Sequence, residues 1–338
     1  MSVATEHSTI GPIGTIIAQA VQGAGLEPSA LFKEVGLDLD SLRDPNVRIP
    51  ADALIELLSL ASERCDDPLL GLHLARYVHP TTFYSLGMAM FFSENLADFI
   101  ERYVTYYRMI TTNDKLESRE GEGVLQIVAT AREGMPMVPI RIDGFAAISV
   151  STMRVALGDN DFAPQSVILA RPRPEGYEDR YDRFFGCEVT YGGESSVISI
   201  GAKELQRTLL TANPELGKMY QQLTEEYLKK IDRADFPGRV HNELVKLLPT
   251  GVSGKDQVAQ ALNMSTRTLY NKLESAGTTY REVLDDTRQT LAKEYICQDL
   301  PIYEIAYLIG FSDTANFSRA FKKWTGQSPV EYRQTAAD

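Results

Sequence analysis

The apolar positions of this chain keep two periods before residue 210 and only one after it. In 51–63, Leu54, Leu57, Leu58 and Ala61 recur at helical spacing, and 86–109 reads as a second, longer helix. A third helix is expected over 139–157, with Phe145, Ile148 and Val155. Short β-branched runs at 123–130 (GVLQIVAT), 165–170, 188–191 and 196–200 read as strands. Residues 214–231 return to helical spacing through Leu216, Tyr220, Leu223, Tyr227 and Ile231. Pro237-Gly238 in IDRADFPG is a turn signal foreign to a helix interior, which predicts a linker over 232–238. Everything beyond it is helical. The fold class is therefore α+β. A mixed α/β domain (1–210) is followed by a helical connector (211–231), the linker, and an all-α domain (239–338).

The all-α segment repeats itself. Val258-Ala259 in QVAQALNMS matches Ile305-Ala306 in EIAYLIGFS, and Leu262, Met264 and Ser265 match Ile309, Phe311 and Ser312 at the same offset. Leu269 and Leu273 match Phe317 and Phe321 one residue further along. Self-similarity of this kind means one supersecondary unit used twice, here about 255–276 and 302–325. Each unit reads as helix, tight turn, helix. Pro301 can open a helix, Gly310 suits the left-handed position after a helix end, and Ser312 is the expected cap of the next helix. In the first unit Asn263 takes the turn position and Ser265 the cap. Ala259 and Ala306 allow the close helix approach of a helix-turn-helix.

At 100° per residue, Leu269 and Leu273 face inward while Arg267 and Asn271 share an outward stripe. In the second unit Phe317, Phe321 and Trp324 face inward, and Ala315, Arg319 and Lys322 outward. Such a stripe can enter a major groove. Arg there can bond guanine, Asn can bond adenine, and Ala can meet a thymine methyl. Thr266, Thr268, Ser318 and Lys323 flank the stripes as phosphate contacts. Ser265, Tyr270, Lys272, Ser312 and Thr314 complete the candidate DNA-facing set.

Charge changes this picture only in detail. The net charge of −12 argues against a nucleic-acid binder, but acidic and basic residues balance one another from Arg239 to Asp338. The excess lies before that segment, so DNA affinity must come from local basic clusters. The three cysteines, Cys65, Cys187 and Cys297, are far apart and odd in number, which suits reduced thiols in a cytoplasmic protein. No histidine has metal-ligand spacing, and no apolar run is long enough to span a bilayer. No nucleophile elbow, phosphate loop or cofactor motif is present, so neither catalytic residues nor a cofactor are assigned and the expectation is a non-enzyme.

The stretch AYLIGFSDTANFSRAFKKWTGQSPVEYR closely resembles the C-terminal signature of AraC/XylS-type regulators, through Gly310-Phe311, Phe317, Phe321, Gly326, Ser328-Pro329 and Tyr332. The resemblance spans Arg239–Arg333. It implies two helix-turn-helix units joined by a long helix at about Tyr280–Gln298, and recognition helices in successive major-groove segments roughly 34 Å apart. Double-stranded DNA and RNA polymerase are the partners it implies, and activation is the usual sense. Many members carry more polar or basic residues at the positions of Thr268 and Ala315, which implies weaker base reading by the second helix here. PLLGLHLARYVHPTTFYSLGMAMFFSENLADFIERYVTYYRMIT, PIRIDGFAAISVSTMR and RFFGCEVTYGGESSVISI resemble the arabinose-binding-like domain of one AraC-type subgroup, which includes ornithine-utilisation and virulence regulators. The domain's name leaves the ligand open.

Tyr84, Phe91, Tyr103, Tyr106 and Tyr107, with Arg102 and Arg108, combine aromatic walls with anion-binding groups and form the candidate effector site. The competing reading makes the aromatics core and the arginines structural, and the same choice attends 214–231. There Leu216, Tyr220, Leu223 and Tyr227 either pair two copies of the chain or pack on their own domain. The expected function is a ligand-responsive regulator sensing a small organic metabolite, with a carboxylate on an apolar body as the favoured chemistry. Its rivals are a ligand-independent regulator and, in another class, an enzyme.

Overall fold

The computed structural model describes residues 7–44, 47–121, 123–251, 254–298 and 300–336. The chain divides into two compact units, Met1–Tyr227 and Leu228–Asp338.

In the first unit a short antiparallel pair, β1 (Ser8–Ile10) and β2 (Arg48–Pro50), brackets α1 (Gly11–Gly23) and α2 (Pro28–Glu34). There follow α3 (Ala51–Arg64), α4 (Leu70–His73), α5 (Tyr84–Phe91) and α6 (Leu96–Tyr106). The stretch 86–109 is thus two helices rather than one. Asn95 has extended backbone, and its side chain accepts from the Asp98 amide at 3.0 Å, which starts a fresh helix.

The main sheet has five strands in the order β3-β4-β7-β5-β6. They are β3 (Asp114–Gly121), β4 (Val124–Ala131), β5 (Ser166–Leu169), β6 (Val189–Tyr191) and β7 (Ser196–Gly201). All pairings are antiparallel except β5 with β6. β4 and β7 lie inside the sheet and bury Ile127, Val128, Ile198 and Ile200. β3 is an edge strand and carries Lys115, Glu117 and Arg119, charges of the kind that discourage edge-to-edge pairing. α7 (Pro139–Leu157) packs against the sheet and against α3 and α4, with Ala146, Ala147, Val150 and Met153 fully buried. α8 (Glu178–Phe185) and α9 (Ala202–Leu205) complete this unit.

α10 runs without interruption from Pro214 to Leu247. This corrects the expected linker at 232–238, which is helical throughout and contains Pro237. Proline in a helix interior forfeits one hydrogen bond and crowds the preceding turn, at about 3 kcal/mol. The offset is visible after the boundary at Tyr227: Phe236, Val240, Leu244 and Leu248 follow every fourth residue and are all buried in the second unit's core.

The rest of that unit is α11 (Lys255–Ala261), α12 (Thr266–Ser275), α13 (Tyr280–Cys297), α14 (Ile302–Leu308), α15 (Thr314–Thr325) and α16 (Pro329–Ala336). α13 opens on a capping box, with Thr279 accepting from the Glu282 amide and Glu282 accepting from the Thr279 amide at 2.8 Å. A run of edge-on or tilted aromatic contacts, Trp324–Phe311–Phe317–Phe321–Tyr332, ties the turn before α15, α15 itself and α16 together.

Candidate nucleic-acid interface and effector cavity

The two helix-turn-helix units share their hinge chemistry. In the first, Met264 N–H donates to the Ala259 carbonyl at 2.9 Å while Asn263 takes a left-handed φ of 53°. In the second, Phe311 N–H donates to Ala306 at 2.9 Å while Gly310 takes φ 75°. The equivalent residues thus do equivalent work. Ser265 caps α12 as expected, accepting from the Thr268 amide at 3.2 Å. The expected cap of α15, Ser312, is corrected to Asp313, which accepts from the Asn316 amide at 2.7 Å. The reason lies in the repeat itself. Its register slips by one residue between Ser312 and Phe317, and the extra residue sits in this turn. Its bond from the Asn316 amide holds the Asp313 carboxyl below the usual carboxylate range.

Both outward stripes are exposed. On α12, Leu269 and Leu273 are fully buried, while Arg267, Thr268, Tyr270, Asn271 and Lys272 face solvent. Thr266 is half-buried and donates to Asp256 at 2.7 Å. Tyr270 lies under the Lys255 ammonium, 5.4 Å from its ring centre, and Lys272 sits 5.1 Å over Phe236. On α15, Thr314, Ala315, Arg319, Lys322 and Lys323 are exposed, and Ser318 is half-buried. Asn316 was missed from the sequence. It is exposed on the same first turn, bonded to Asp313 and to Arg319, whose Nη2 donates to Asn316 Oδ1 at 2.7 Å. Its polar side chain one residue from Ala315 was the available signal.

Arg288 of α13 was also missed. It stacks 4.6 Å over Phe311 and donates to the carbonyls of Ile309 (3.0 Å) and Gly310 (2.8 Å). It therefore holds the C-terminal end of α14 and the turn that aims α15. Nothing in its own neighbourhood in sequence marks it, because its partners are more than twenty residues away.

In the first unit a cavity of about 90 Å³ lies between α1, α3, α6 and α7. Ile13, Ile17, Leu54, Leu58, Phe83 and Ile148 form most of its wall, and Tyr103 and Tyr107 line it. The other five expected effector residues lie elsewhere. Tyr103 of α6 and Tyr107 in the turn just after it face inward, whereas Arg102 and Tyr106 turn toward α10. Arg102 donates to Asp98, Ser93 and Gln221, and Tyr106 donates to Glu225 at 2.7 Å. Phe91 is core, edge-on to Phe99 at 6.2 Å. Tyr84 lies tilted against Tyr227 at 6.4 Å, and Arg108 is exposed. The polar end of the cavity is made instead by Thr9, Thr111, Asn113 and the ion pair of Arg141 Nη1 with Asp114 Oδ1. Arg141 stands two residues before Asp143 near the start of α7, and nothing in its sequence neighbourhood marks it for the cavity. A second cavity of about 150 Å³ adjoins, and Asp114, Arg141 and Phe145 line both.

Of the expected pairing stripe on α10, Tyr220 stacks on Phe92 at 5.8 Å and Tyr227 meets Tyr84, both within the first unit. Leu216 is half-buried, and Leu223 is 45% exposed beside Met219 at 46%. Cys65, Cys187 and Cys297 are free thiols, and burial pushes the first two above the usual thiol range. Among the described residues no helix is long and apolar enough to cross a membrane.

Comparison with known proteins adds family to geometry. The arabinose-binding domain of AraC transcription regulators, N-terminal, matches residues 25–209, and a helix-turn-helix domain family matches 258–335. The ornithine utilization regulator of Pseudomonas aeruginosa is 32% identical over 92% of this chain and 91% of its own length. The regulator VqsM of the same organism is 28% identical over 78% and 83%. The crystal structure of the P. aeruginosa transcriptional regulator CdpR aligns at 22% identity over 90% of this chain and 97% of its own, with a TM-score of 0.45. With a regulator's N-terminal domain, a repeated helix-turn-helix and a full-length relative above 30% identity, this chain belongs to the AraC family of DNA-binding transcriptional regulators.

Proposed function

We propose that the protein is a ligand-responsive activator whose first unit binds a small organic molecule and whose second unit reads one DNA face with two helices. The observation that carries this reading is the matched pair of turns, Met264–Ala259 and Phe311–Ala306, each followed by a helix with an exposed arginine. Arg267 and Asn271 read bases from α12, and Ala315, Arg319 and Lys322 from α15. Thr266, Thr268, Ser318 and Lys323 hold phosphates, so affinity falls steeply with salt. Asn316 joins the base readers by position. Activation proceeds through contact with RNA polymerase. Of the expected pairing stripe Leu223 stays exposed, and with Met219 beside it offers an apolar surface for a homodimer. The cavity lined by Tyr103, Tyr107 and Arg141 is the effector site.

The test joins two measurements on the full-length protein. Genome-wide mapping of bound DNA supplies the sites, and the genes beside them supply candidate effectors. An effector that raises the melting temperature by mass action must also change affinity for those sites. Stabilisation by metabolites with no change in DNA binding, or transcription, refutes ligand control and leaves a regulator governed by its own abundance.

A further inference from the structure

The effector cavity is apolar almost throughout, and most of its few polar groups are paired with one another. Thr9 and Thr111 share a hydrogen bond of 2.8 Å, and Asn113 donates to Thr9 from Nδ2 at 3.2 Å and to Thr111 from its backbone at 3.1 Å. Arg141, the one cation among the described lining residues, is neutralised by Asp114, and both side chains are only 12% exposed. Arg141 nevertheless keeps donor capacity. A guanidinium has five N–H groups, and its buried Nε is without a partner. Asn113 Oδ1 is likewise buried without a partner, so the cavity presents spare donors and one acceptor without net charge.

That combination discriminates between ligand classes. A carboxylate would lose its hydration to enter and find no free positive charge, only a cation already held by another carboxylate. Glu194, which lines the adjoining cavity, adds a further negative group beside Arg141 and Asp114. A sugar would bring hydroxyls that the aliphatic wall cannot satisfy. An amino acid with a second ammonium would need a free acid, and Asp114 is taken. A neutral molecule with a compact hydrocarbon body and one oxygen acceptor buries apolar surface and fills the spare donors at little desolvation cost. Resting on the reading of this cavity as the effector site, we infer that the effector is such a neutral molecule: an alcohol, amide, ketone or ester on a branched or aromatic body. The expected carboxylate ligand of Arg102 and Arg108 gives way, because neither arginine lines the cavity.

Matched probes test this on the full-length protein. 4-Methylpentanamide and 4-methylpentan-1-ol are compared with 4-methylpentanoate, and benzamide with benzoate, with arabinose and ornithine alongside, by thermal melting and direct titration at neutral pH. The neutral member of each pair should bind at least tenfold tighter than its acid, and arabinose and ornithine should give no shift. Ile13→Phe, which fills the cavity from one wall, should abolish the shifts. Asp114→Asn, which frees the Arg141 charge, should reverse the preference toward the acids. If that variant does not fold, the wild-type pairs and Ile13→Phe still decide. Acids binding more tightly than their neutral partners would overturn the ligand class while leaving an effector cavity. Shifts that survive Ile13→Phe would overturn the location. No binding by any probe would overturn both.

Discussion

Arg267 and Arg319 both project from the outward stripes of α12 and α15, but at different positions of the repeat, Arg267 matching Ala315 and Arg319 matching Asn271, and they are differently prepared. Arg267 projects from a turn whose cap is an uncharged serine, whereas Arg319 is held by Asn316, itself tied to the Asp313 carboxylate. Both substitutions to Ala should lose about 1–3 kcal/mol on the specific site and relax base preference, each at its own position. Lys323→Ala should weaken all sequences about equally. Titrating the variants against single-base operator mutants checks this, and a uniform loss for Arg267→Ala would move it to the phosphate contacts. A different residue governs pH. Asp143 is 2% exposed, bonded to Arg171 and, at 2.7 Å, to Tyr181, and burial pushes its carboxyl up to about 6. A carboxyl whose pKa is raised on folding stabilises most below its unfolded value near 4, and that contribution is lost as pH rises toward 6. The stability of wild type relative to Asp143→Asn should therefore fall by about 2–3 kcal/mol from pH 4 to above pH 6. Urea melts of both proteins across that range measure the difference, and parallel curves would show that Asp143 stays ionised throughout.

At the scale of elements, the second helix-turn-helix depends on a residue outside it. Arg288→Ala leaves the Ile309 and Gly310 carbonyls without their charged donor and strips a face from Phe311, so the second unit should lose about 2 kcal/mol or more. Arg288→Lys should not restore it, because a single ammonium cannot reproduce the fork and the stack together. Melting of the variants, with specific DNA binding as a second readout, checks the claim; full recovery by lysine would reduce Arg288 to a point charge. Elements with strong periodicity are legible in the amino-acid sequence alone: α3, α7, the strands β4 to β7, and the paired turns at Asn263 and Gly310. β3 is not, since Leu116 is its one buried residue and an edge strand needs few apolar positions. The break between α5 and α6 is hidden because apolar residues continue across it. Pro237 misleads because local backbone chemistry is outweighed by the burial of Phe236 and Val240, which only the tertiary core reveals. The cavity's polar end is illegible for the same reason: Thr9, Asp114 and Arg141 meet from three distant segments.

For the whole molecule, the second unit begins at Leu228 and includes Phe236. A fragment cut at Arg239 would lose a fully buried phenylalanine, a change of the kind that costs about 3–5 kcal/mol when made by substitution. The oligomeric state turns on the exposed Met219 and Leu223. Sedimentation of Leu223→Asp should show a shift toward monomer if these residues pair two chains, and an unchanged folded species would assign the surface to solvent. The central claim is that two helices read one DNA face. Hydroxyl-radical footprinting of the full-length protein on a genomic site tests it most directly. The account predicts two protected patches on one face, roughly 34 Å apart, with Arg267→Ala erasing one and Arg319→Ala the other. A single patch insensitive to one of these substitutions, or no sequence-specific protection even at low salt, would contradict it.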